Sequence, residues 1–446
     1  MNNKKIVFLA LIAAIVVVIG GGMAAYFFLL KKPVAVVSVP TSKSEIDVLS
    51  FYNWWTSPGE SAALSALVNV FIKQYPNTAV MPTSVVGGAG YSMLGVVKPL
   101  VTAGQAPDSF QMHAGYEGVP YYKAGLLEPV DDIWASENLA SVIPGVVQEM
   151  NKFDGHYYSV PVDIHRVNIV WYNKELLDNN KIDVTTLTDW EAFFEACDKL
   201  KAAGVKYPIQ LGESWTAAHV FEQIAASEGI DFYQDWINGK IVSSDNPRLL
   251  KVLDNFKKYL SYTNQDYEKL IWNDATARVI NGEAAFNIMG DWANQEFKLA
   301  GKKYGVDYGT FPVPGTGDIY GLCVDTFQRP KNISHPTNAN RWLKTIVSRE
   351  GQDAFNPIKG SISARTDADV SKYDAYQQTA ISDFWKARYM FPSVVHGSGA
   401  PQAYKIKLED IIAEFVLNQD VSKAATALAN YSAIINDEYT IAWSLK

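Results

Sequence analysis

Cysteine, basic runs and metal-ligand motifs are scarce in this sequence of 446 residues. Its two cysteines, Cys197 and Cys323, are too few for a disulfide scaffold and do not indicate a redox compartment. Acidic residues outnumber basic ones, 47 against 39, and lysine and arginine nowhere form an extended tract. Nucleic-acid-binding proteins need a basic footprint, so we expect no nucleic-acid partner.

Sequence motifs of several enzyme and cofactor classes are also missing. The six histidines are scattered from His113 to His396 and form neither an HExxH motif nor a Cys/His pair. No GxGxxG or GxxxxGK[ST] loop is present, and no GxSxG nucleophile elbow occurs. The spacing of residues therefore predicts no metal site and no cofactor.

The amino terminus carries a long hydrophobic run. Residues 6–30 contain no charged side chain and are flanked by lysine pairs on both sides. A cleaved signal usually has about 7–15 apolar residues, whereas a membrane-spanning helix needs roughly 20. We expect residues 1–32 to form a transmembrane anchor or uncleaved signal, and residues 33–45 a linker. The rest of the chain is then a domain outside the cytoplasm.

The stretch FYNWWTSPGE, residues 51–60, organises our interpretation of the domain. Residues 46–52 are largely apolar and predict a strand, and Ser57 and Glu60 have the spacing of a capping box at the start of a helix. The adjacent Trp54 and Trp55 thus fall on a strand-to-helix turn, where open α/β sheets bind ligands. Neighbouring side chains of an extended segment cannot both point inward, so we expect one indole to line a cleft.

Polar and aromatic side chains recur at the ends of other predicted strands. A predicted strand at 109–112 leads to Gln111 and His113, one at 157–162 is followed by His165, and one at 284–289 by Asp291 and Trp292. A polyol needs carboxylates or amides for its hydroxyls, cationic or imidazole donors, and flat aromatic faces. The set that offers this mixture is Trp54, Trp55, Glu60, Gln111, His113, His165, Asp291 and Trp292.

Other roles for these residues stay open at this point. Glu60 is equally suited to capping its helix only, and Trp292 to packing in the core. Glu60 and Asp291 form a carboxylate pair of the kind that a membrane-anchored glycoside hydrolase would use. An envelope adhesin is a further hypothesis, in which the cleft residues would have no ligand.

A series of short motifs runs along the domain. The motifs are WWT at 54–56, VGGAG at 86–90, PDSFQMHAG at 107–115, VPVDIHR at 160–166, MGDWA at 289–293, REGQDAFNP at 349–357, KGS at 359–361, PS at 392–393 and HGS at 396–398. With these motifs in this order, the chain resembles the extracellular solute-binding proteins (family 1) of carbohydrate ABC importers, and most closely their glucose/mannose-binding group. The resemblance extends over most of the soluble part, from about residue 46 to about residue 428.

The resemblance implies an α/β fold, the two-lobed clamshell (type II) of periplasmic binding proteins, here with an N-terminal transmembrane helix. We place one lobe at 46–163 with 314–360, and the other at 164–313 with 361–446. The resemblance also implies that Trp54 or Trp55, Glu60, Gln111, His113, His165 and Asp291 contact the sugar. It adds three further residues to the site: Trp272, Lys359 and His396.

The resemblance further implies a receptor rather than an enzyme. The receptor would bind one glucose-like monosaccharide between its lobes and deliver it to the permease subunits of an ABC transporter. We expect a single-pass anchor in the cell membrane, an extracytoplasmic and monomeric soluble domain, and no cofactor.

Overall fold

A computed structural model describes residues 47–445 of the protein. The predicted anchor at 1–32 and the linker at 33–45 lie outside the described residues. Within residues 47–445, no helix is both long and apolar enough to cross a bilayer.

Thirteen strands build the described part of the chain. They are β1 (Asp47–Asn53), β2 (Thr78–Ser84), β3 (Ser109–His113), β4 (Lys152–Phe153), β5 (His156–Tyr157), β6 (Ser159–Pro161), β7 (His165–Arg166), β8 (Ile169–Asn173), β9 (Phe286–Ile288), β10 (Tyr308–Pro312), β11 (Ile319–Cys323), β12 (Asp325–Gln328) and β13 (Tyr389–Pro392).

The α-helices of the same residues alternate with these strands. They are α1 (Pro58–Gln74), α2 (Tyr91–Thr102), α3 (Val119–Lys123), α4 (Asp131–Ser136), α5 (Gly145–Met150), α6 (Lys174–Asn179), α7 (Trp190–Ala202), α8 (Ser214–Ser227), α9 (Ile230–Ile237), α10 (Pro247–Leu260), α11 (Trp272–Ile280), α12 (Ala293–Leu299), α13 (Pro336–Val347), α14 (Arg349–Lys359), α15 (Ala375–Lys386), α16 (Gln402–Asn418) and α17 (Val421–Ile434).

Three sheets carry the strands that matter for function. The largest has the order β2-β1-β3-β12-β6, with β1 parallel to both β2 and β3, and β12 antiparallel to both of its neighbours. Two three-stranded sheets have the orders β10-β8-β9 and β13-β11-β7. Because β1 and β3 are parallel, the residues that follow them emerge at the same edge of the sheet.

The chain passes between sheets at two short segments. After β6 in the five-stranded sheet, residues 162–164 lead to β7, which pairs with β11. The return is at Val324, which separates β11 from β12 of the five-stranded sheet. The sequence pattern at 321–327 predicts a single strand, and this prediction is wrong, because the two halves pair with strands of different sheets.

The local predictions around the double tryptophan are confirmed. The first strand runs from Asp47 to Asn53, and the side chain of Ser57 accepts from the Glu60 amide in a complete capping box. The TDWE sequence at 188–191 also has capping-box spacing and predicts a helix capped by Thr188, which is wrong by one position. Asp189 caps α7 there by accepting from the Ala192 amide, since its carboxylate directly precedes the first turn.

Asp108 ties the first strand of the large sheet to a helix. This buried carboxylate accepts hydrogen bonds from the Ser50 amide at 2.7 Å, the Ser50 hydroxyl at 2.9 Å and the His335 amide at 3.0 Å. His335 directly precedes α13, so one side chain links β1, the start of β3 and the beginning of that helix.

We expect Asp108→Ala to lower the free energy of unfolding by about 2–4 kcal/mol, because it leaves several buried donors without a partner. Asp108→Asn keeps the shape and one acceptor, so its effect should be smaller. Thermal unfolding of the full chain would measure both. Equal melting temperatures for wild type and Asp108→Ala would contradict the role assigned to this carboxylate.

Candidate functional site

A cavity of about 330 Å³ lies where β1 and β3 end. The turn after β1, the end of β3, the start of β7, the 323–325 segment and the ends of several helices contribute its wall. Most of the residues predicted for the site line this cavity, namely Trp54, Glu60, His113, His165, Trp272, Trp292, Lys359 and His396.

The turn after β1 separates the two adjacent indoles. Trp54 lies on the cavity wall, with its ring 4.7 Å from that of His113. Trp55 is fully buried on the other side, where it packs 4.6 Å from Phe355 and its indole N–H donates to Asp325 Oδ2 at 3.2 Å. Trp54 is therefore the indole available to a ligand, and Trp55 holds Asp325.

Gln111 and Asp291 lie behind the cavity lining and position residues that belong to it. The side-chain carbonyl of Gln111 accepts from the Trp54 amide at 3.1 Å. Asp291 accepts from the Arg166 amide at 2.9 Å and contacts His165 Nδ1 with its other oxygen. Both side chains are completely buried. Gln111 and Asp291 therefore support residues of the lining from one layer outside the cavity.

Glu60 caps its helix and also lies on the cavity wall. Its Oε2 accepts from the amides of Thr56 and Ser57 at 3.2 and 3.3 Å, which completes the helix cap. Its Oε1 accepts from Lys359 Nζ at 3.2 Å on the cavity side. Helix α1 and helix α14 therefore meet at the cavity through a charged hydrogen bond.

His165 is surrounded by carboxylates. Its Nε2 lies 3.1 Å from Asp163 and 3.6 Å from Asp325, and its Nδ1 contacts Asp291. Burial by itself lowers the pKa of His165, but the charges of Asp163 and Asp291 raise it well above its usual range. The ring is therefore an imidazolium. Asp325 is held ionised, because hydrogen bonding to His165 and the charge of His113 outweigh burial and lower its pKa.

Lys359 is the second buried cation of the site. Burial lowers its pKa, but the carboxylates of Glu60, Asp325 and Asp163 more than offset that effect and raise it. Its ammonium group lies 5.8 Å from the centre of the Trp292 ring. A charged donor and an aromatic face are thus presented side by side.

Two further buried histidines are neutral, His396 in the cavity lining and His219 behind it. Burial lowers the pKa of His219 to about 3, and it also lowers the pKa of His396 well below its usual range. Nε2 of His396 lies 3.3 Å from Nδ1 of His219. These rings stay uncharged at neutral pH and can each donate and accept one hydrogen bond.

The loop that carries His396 is supported by a buried carboxyl. The Ser393 hydroxyl accepts from the His396 amide at 3.2 Å and donates to Glu222 Oε2 at 2.7 Å. Glu222 also accepts from the Tyr233 hydroxyl at 2.6 Å. Burial raises the pKa of Glu222 to about 7 despite these hydrogen bonds.

Sequence reasoning missed several residues of the lining, among them Trp215, Glu213, Asn273, Asp325 and Cys323. Trp215 sits in the first turn of α8 and follows no strand, so the strand-end rule had no signal for it. Cys323 and Asp325 fall within the strand predicted at 321–327, so the strand-end rule did not select them. The VGGAG motif at 86–90 contributed to the family resemblance but to no predicted site residue, yet Val86, Gly87 and Gly88 lie at the cavity.

Comparison with known proteins identifies the family. The family model described as "Bacterial extracellular solute-binding protein" matches residues 54–353, more than half of the chain. The chain belongs to this family. An uncharacterized ABC transporter extracellular-binding protein of Pyrococcus horikoshii is 43% identical over 397 residues, which is 88% of this chain and 89% of the relative.

Two further matches describe the family and the fold. A probable sugar-binding periplasmic protein of Rhizobium meliloti is 33% identical over 383 residues, covering 85% of this chain and 91% of the relative. The solved structure of the bacterial solute receptor AcbH superimposes with a TM-score of 0.76 at 18% identity, covering 88% of this chain and 100% of that one. The fold is thus the two-domain α/β fold of solute-binding proteins.

Family membership also decides the question of catalysis. Solute-binding proteins of ABC transporters are not enzymes, and this chain is a binding protein. The glycoside hydrolase considered from the sequence is not supported. Its two carboxylates would have to flank a substrate, but Asp291 does not line the cavity and both its oxygens are engaged by Arg166 and His165.

Glu222 makes stability depend on pH. The pKa of Glu222 is about 7 in the folded protein against 4.5 for the free side chain. Its contribution to the free energy of unfolding is therefore complete below about pH 4.5 and is lost as the pH rises through 7. We expect the free energy of unfolding to fall by about 3 kcal/mol over this range from Glu222 alone.

Urea unfolding at about pH 5 and pH 8 would measure this effect in the wild type, in Glu222→Gln and in Glu414→Gln. Glu414 is an exposed carboxylate that serves as the matched control. Glu222→Gln should lose this part of the pH dependence, and Glu414→Gln should keep it. An unchanged pH dependence in Glu222→Gln would contradict the assignment.

Proposed function

We propose that this protein is the sugar-binding receptor of an ABC importer and that it holds one monosaccharide, glucose-like in size, in the 330 Å³ cavity. The observation that carries the proposal is the combination of four indoles with charged and neutral donors around one cavity. The indoles are those of Trp54, Trp215, Trp272 and Trp292.

The chemistry of the lining suits a neutral polyol. Sugar hydroxyls both donate and accept, and Asp325, His165, Lys359 and the neutral His396 supply partners for both directions. The indole N–H of Trp215 is buried and has no hydrogen-bond partner among the described residues. Because an unpaired buried donor is costly, an acceptor from a ligand is expected there. The relative from Rhizobium meliloti, called a probable sugar-binding protein, supports the same class of ligand.

The size of the cavity favours a single ring. Its 330 Å³ is near the lower end of the roughly 300–1,000 Å³ range of small-molecule sites. The VGGAG segment at 86–90 also limits its extent. A Cβ on Gly88 would lie 2.5 Å from Trp215 Nε1, and one on Gly90 would lie 2.9 Å from the ring of Trp54. The segment thus packs closely on two of the four indoles.

The rest of the transport cycle follows from the same proposal. We take the two lobes as predicted from the sequence, so the chain crosses between them near residues 163 and 360. For the crossing back to the first lobe, the pairing of β11 supports residue 324 rather than residue 314. Hinge closure of two lobes on a ligand is a known switch of periplasmic binding proteins. A monomeric domain tethered by residues 6–30 outside the cytoplasm would then deliver its sugar to the membrane permease.

We expect D-glucose to bind the full chain and to change its tryptophan fluorescence. Trp54→Ala should weaken binding by roughly tenfold or more, because losing an aromatic face costs on the order of 1.5 kcal/mol. Trp385→Ala is the matched control, since that indole is 59% exposed and does not line the cavity. Calorimetry would measure both variants.

Two results would contradict this proposal. Hexoses and pentoses that produce neither heat nor a fluorescence change would favour the adhesin hypothesis. Equal affinities for wild type and Trp54→Ala would place the sugar outside the cavity.

Gly88→Ala should weaken monosaccharide binding by about tenfold, because the new methyl group must displace the Trp215 indole. Gly95→Ala is a matched substitution on α2 with no heavy atom within 4 Å of the added Cβ, and it should bind like the wild type. Titration calorimetry of the two variants would test the role of the segment. An affinity that is unchanged in Gly88→Ala would show that this glycine does not shape the cavity.

A further inference from the structure

Three metal-ligating side chains converge on the floor of the cavity. His113, Cys323 and His396 each offer one donor atom, and the three atoms lie within 4.8 Å of one another. All three residues are buried, and all three line the cavity. They come from β3, β11 and the loop after β13, so nothing in their sequence spacing resembles a metal motif.

The donor set is that of a borderline-soft transition metal. Imidazole nitrogen and thiolate sulfur are the preferred ligands of Zn²⁺. Another group of close donors in residues 47–445, Asp163, His165 and Asp325, offers two carboxylates and no sulfur, which suits a harder cation.

The surroundings of His113 orient it as a ligand. Glu117 Oε2 accepts from the His113 amide at 2.6 Å and lies 3.1 Å from its Nδ1. A carboxylate that holds one ring nitrogen of a metal-binding histidine is a common outer-shell arrangement. Nε2 of His113 lies 3.6 Å from Asp325 Oδ1, so each ring nitrogen of His113 faces a carboxylate.

We propose that His113, Cys323 and His396 form a Zn²⁺ site at the floor of the cavity, with the remaining coordination position open to the cavity. Cys323 enters this site as a thiolate. Binding one Zn²⁺ therefore releases the thiol proton to solvent, and each imidazole binds through the lone pair of one ring nitrogen. Asp325, within 3.6 Å of His113 Nε2, is a further oxygen donor beside the metal.

The site implies competition between metal and sugar. His113, Cys323 and His396 line the same cavity in which we place the monosaccharide, so occupation by Zn²⁺ would exclude the sugar. By linkage, sugar would weaken Zn²⁺ binding by the same factor. This competition rests on the proposed function, whereas the metal site itself does not.

Cobalt(II), a spectroscopic substitute for Zn²⁺, tests the site in the full chain. We expect one Co²⁺ per chain, a thiolate-to-metal charge-transfer band, and displacement of Co²⁺ by Zn²⁺. Cys323→Ser should abolish the band and weaken Zn²⁺ binding at least roughly tenfold. Cys197→Ser changes the other cysteine, which is buried in α7 away from the cavity, and should keep both. Absence of the band in the wild type, or equal Zn²⁺ affinity in Cys323→Ser, would overturn the proposal.

A second variant covers the case in which Cys323→Ser does not fold. Glu117→Gln leaves all three ligands in place and replaces the carboxylate that faces the amide and Nδ1 of His113. It should keep the band and weaken Zn²⁺ binding by roughly 10–100-fold. Circular dichroism would verify that the variant is folded. A folded Glu117→Gln with wild-type Zn²⁺ affinity would contradict the arrangement around His113.

D-glucose separates the two proposals. Loss of the Co²⁺ band on adding glucose is the expected result. Glucose that binds by calorimetry but leaves the band intact would overturn the competition. A Co²⁺ band in a chain that binds no sugar would sustain the metal site and refute the proposed function.

Discussion

The cavity depends on one buried cation, the imidazolium of His165. Its ring belongs to β7 in one three-stranded sheet, and its partner Asp325 begins β12 of the five-stranded sheet. Asp291 follows β9 of the other three-stranded sheet, and Asp163 lies in the segment between β6 and β7. A buried carboxylate is costly unless it is paired, so this ring fixes where the ends of all three sheets meet.

A second ion pair extends this arrangement to the helices. Lys359 at the end of α14 reaches Glu60 in the first turn of α1, and Glu60 simultaneously caps that helix. The polar groups of the lining are therefore held in place before a ligand arrives. Because little side-chain freedom remains to be lost on binding, such a site can use its contacts for affinity and selectivity.

The buried histidines around the cavity differ in charge. The carboxylates of Asp163 and Asp291 raise the pKa of His165. Burial lowers the pKa of His219 and of His396, so these rings are neutral. His165 and His396 nevertheless lie at the same distance, 5.2 Å, from the Trp292 ring. One residue type thus supplies a charged donor and a neutral donor and acceptor to the same cavity.

The sequence by itself determined what depends on neighbours along the chain. The apolar run and the Ser57–Glu60 spacing specified β1, its turn and the start of α1, because a capping box is a local hydrogen-bond pattern. The sequence also identified the family and eight of the twenty residues that line the cavity. Only the tertiary structure decided that Trp54 faces the cavity and Trp55 the core, since the direction of each side chain depends on what packs against the turn. The tertiary structure also separates two strands at Val324, places Trp215 in the cavity wall, and brings His113, Cys323 and His396 close together. These outcomes could not be predicted, because distances between residues far apart in sequence are set by sheet pairing.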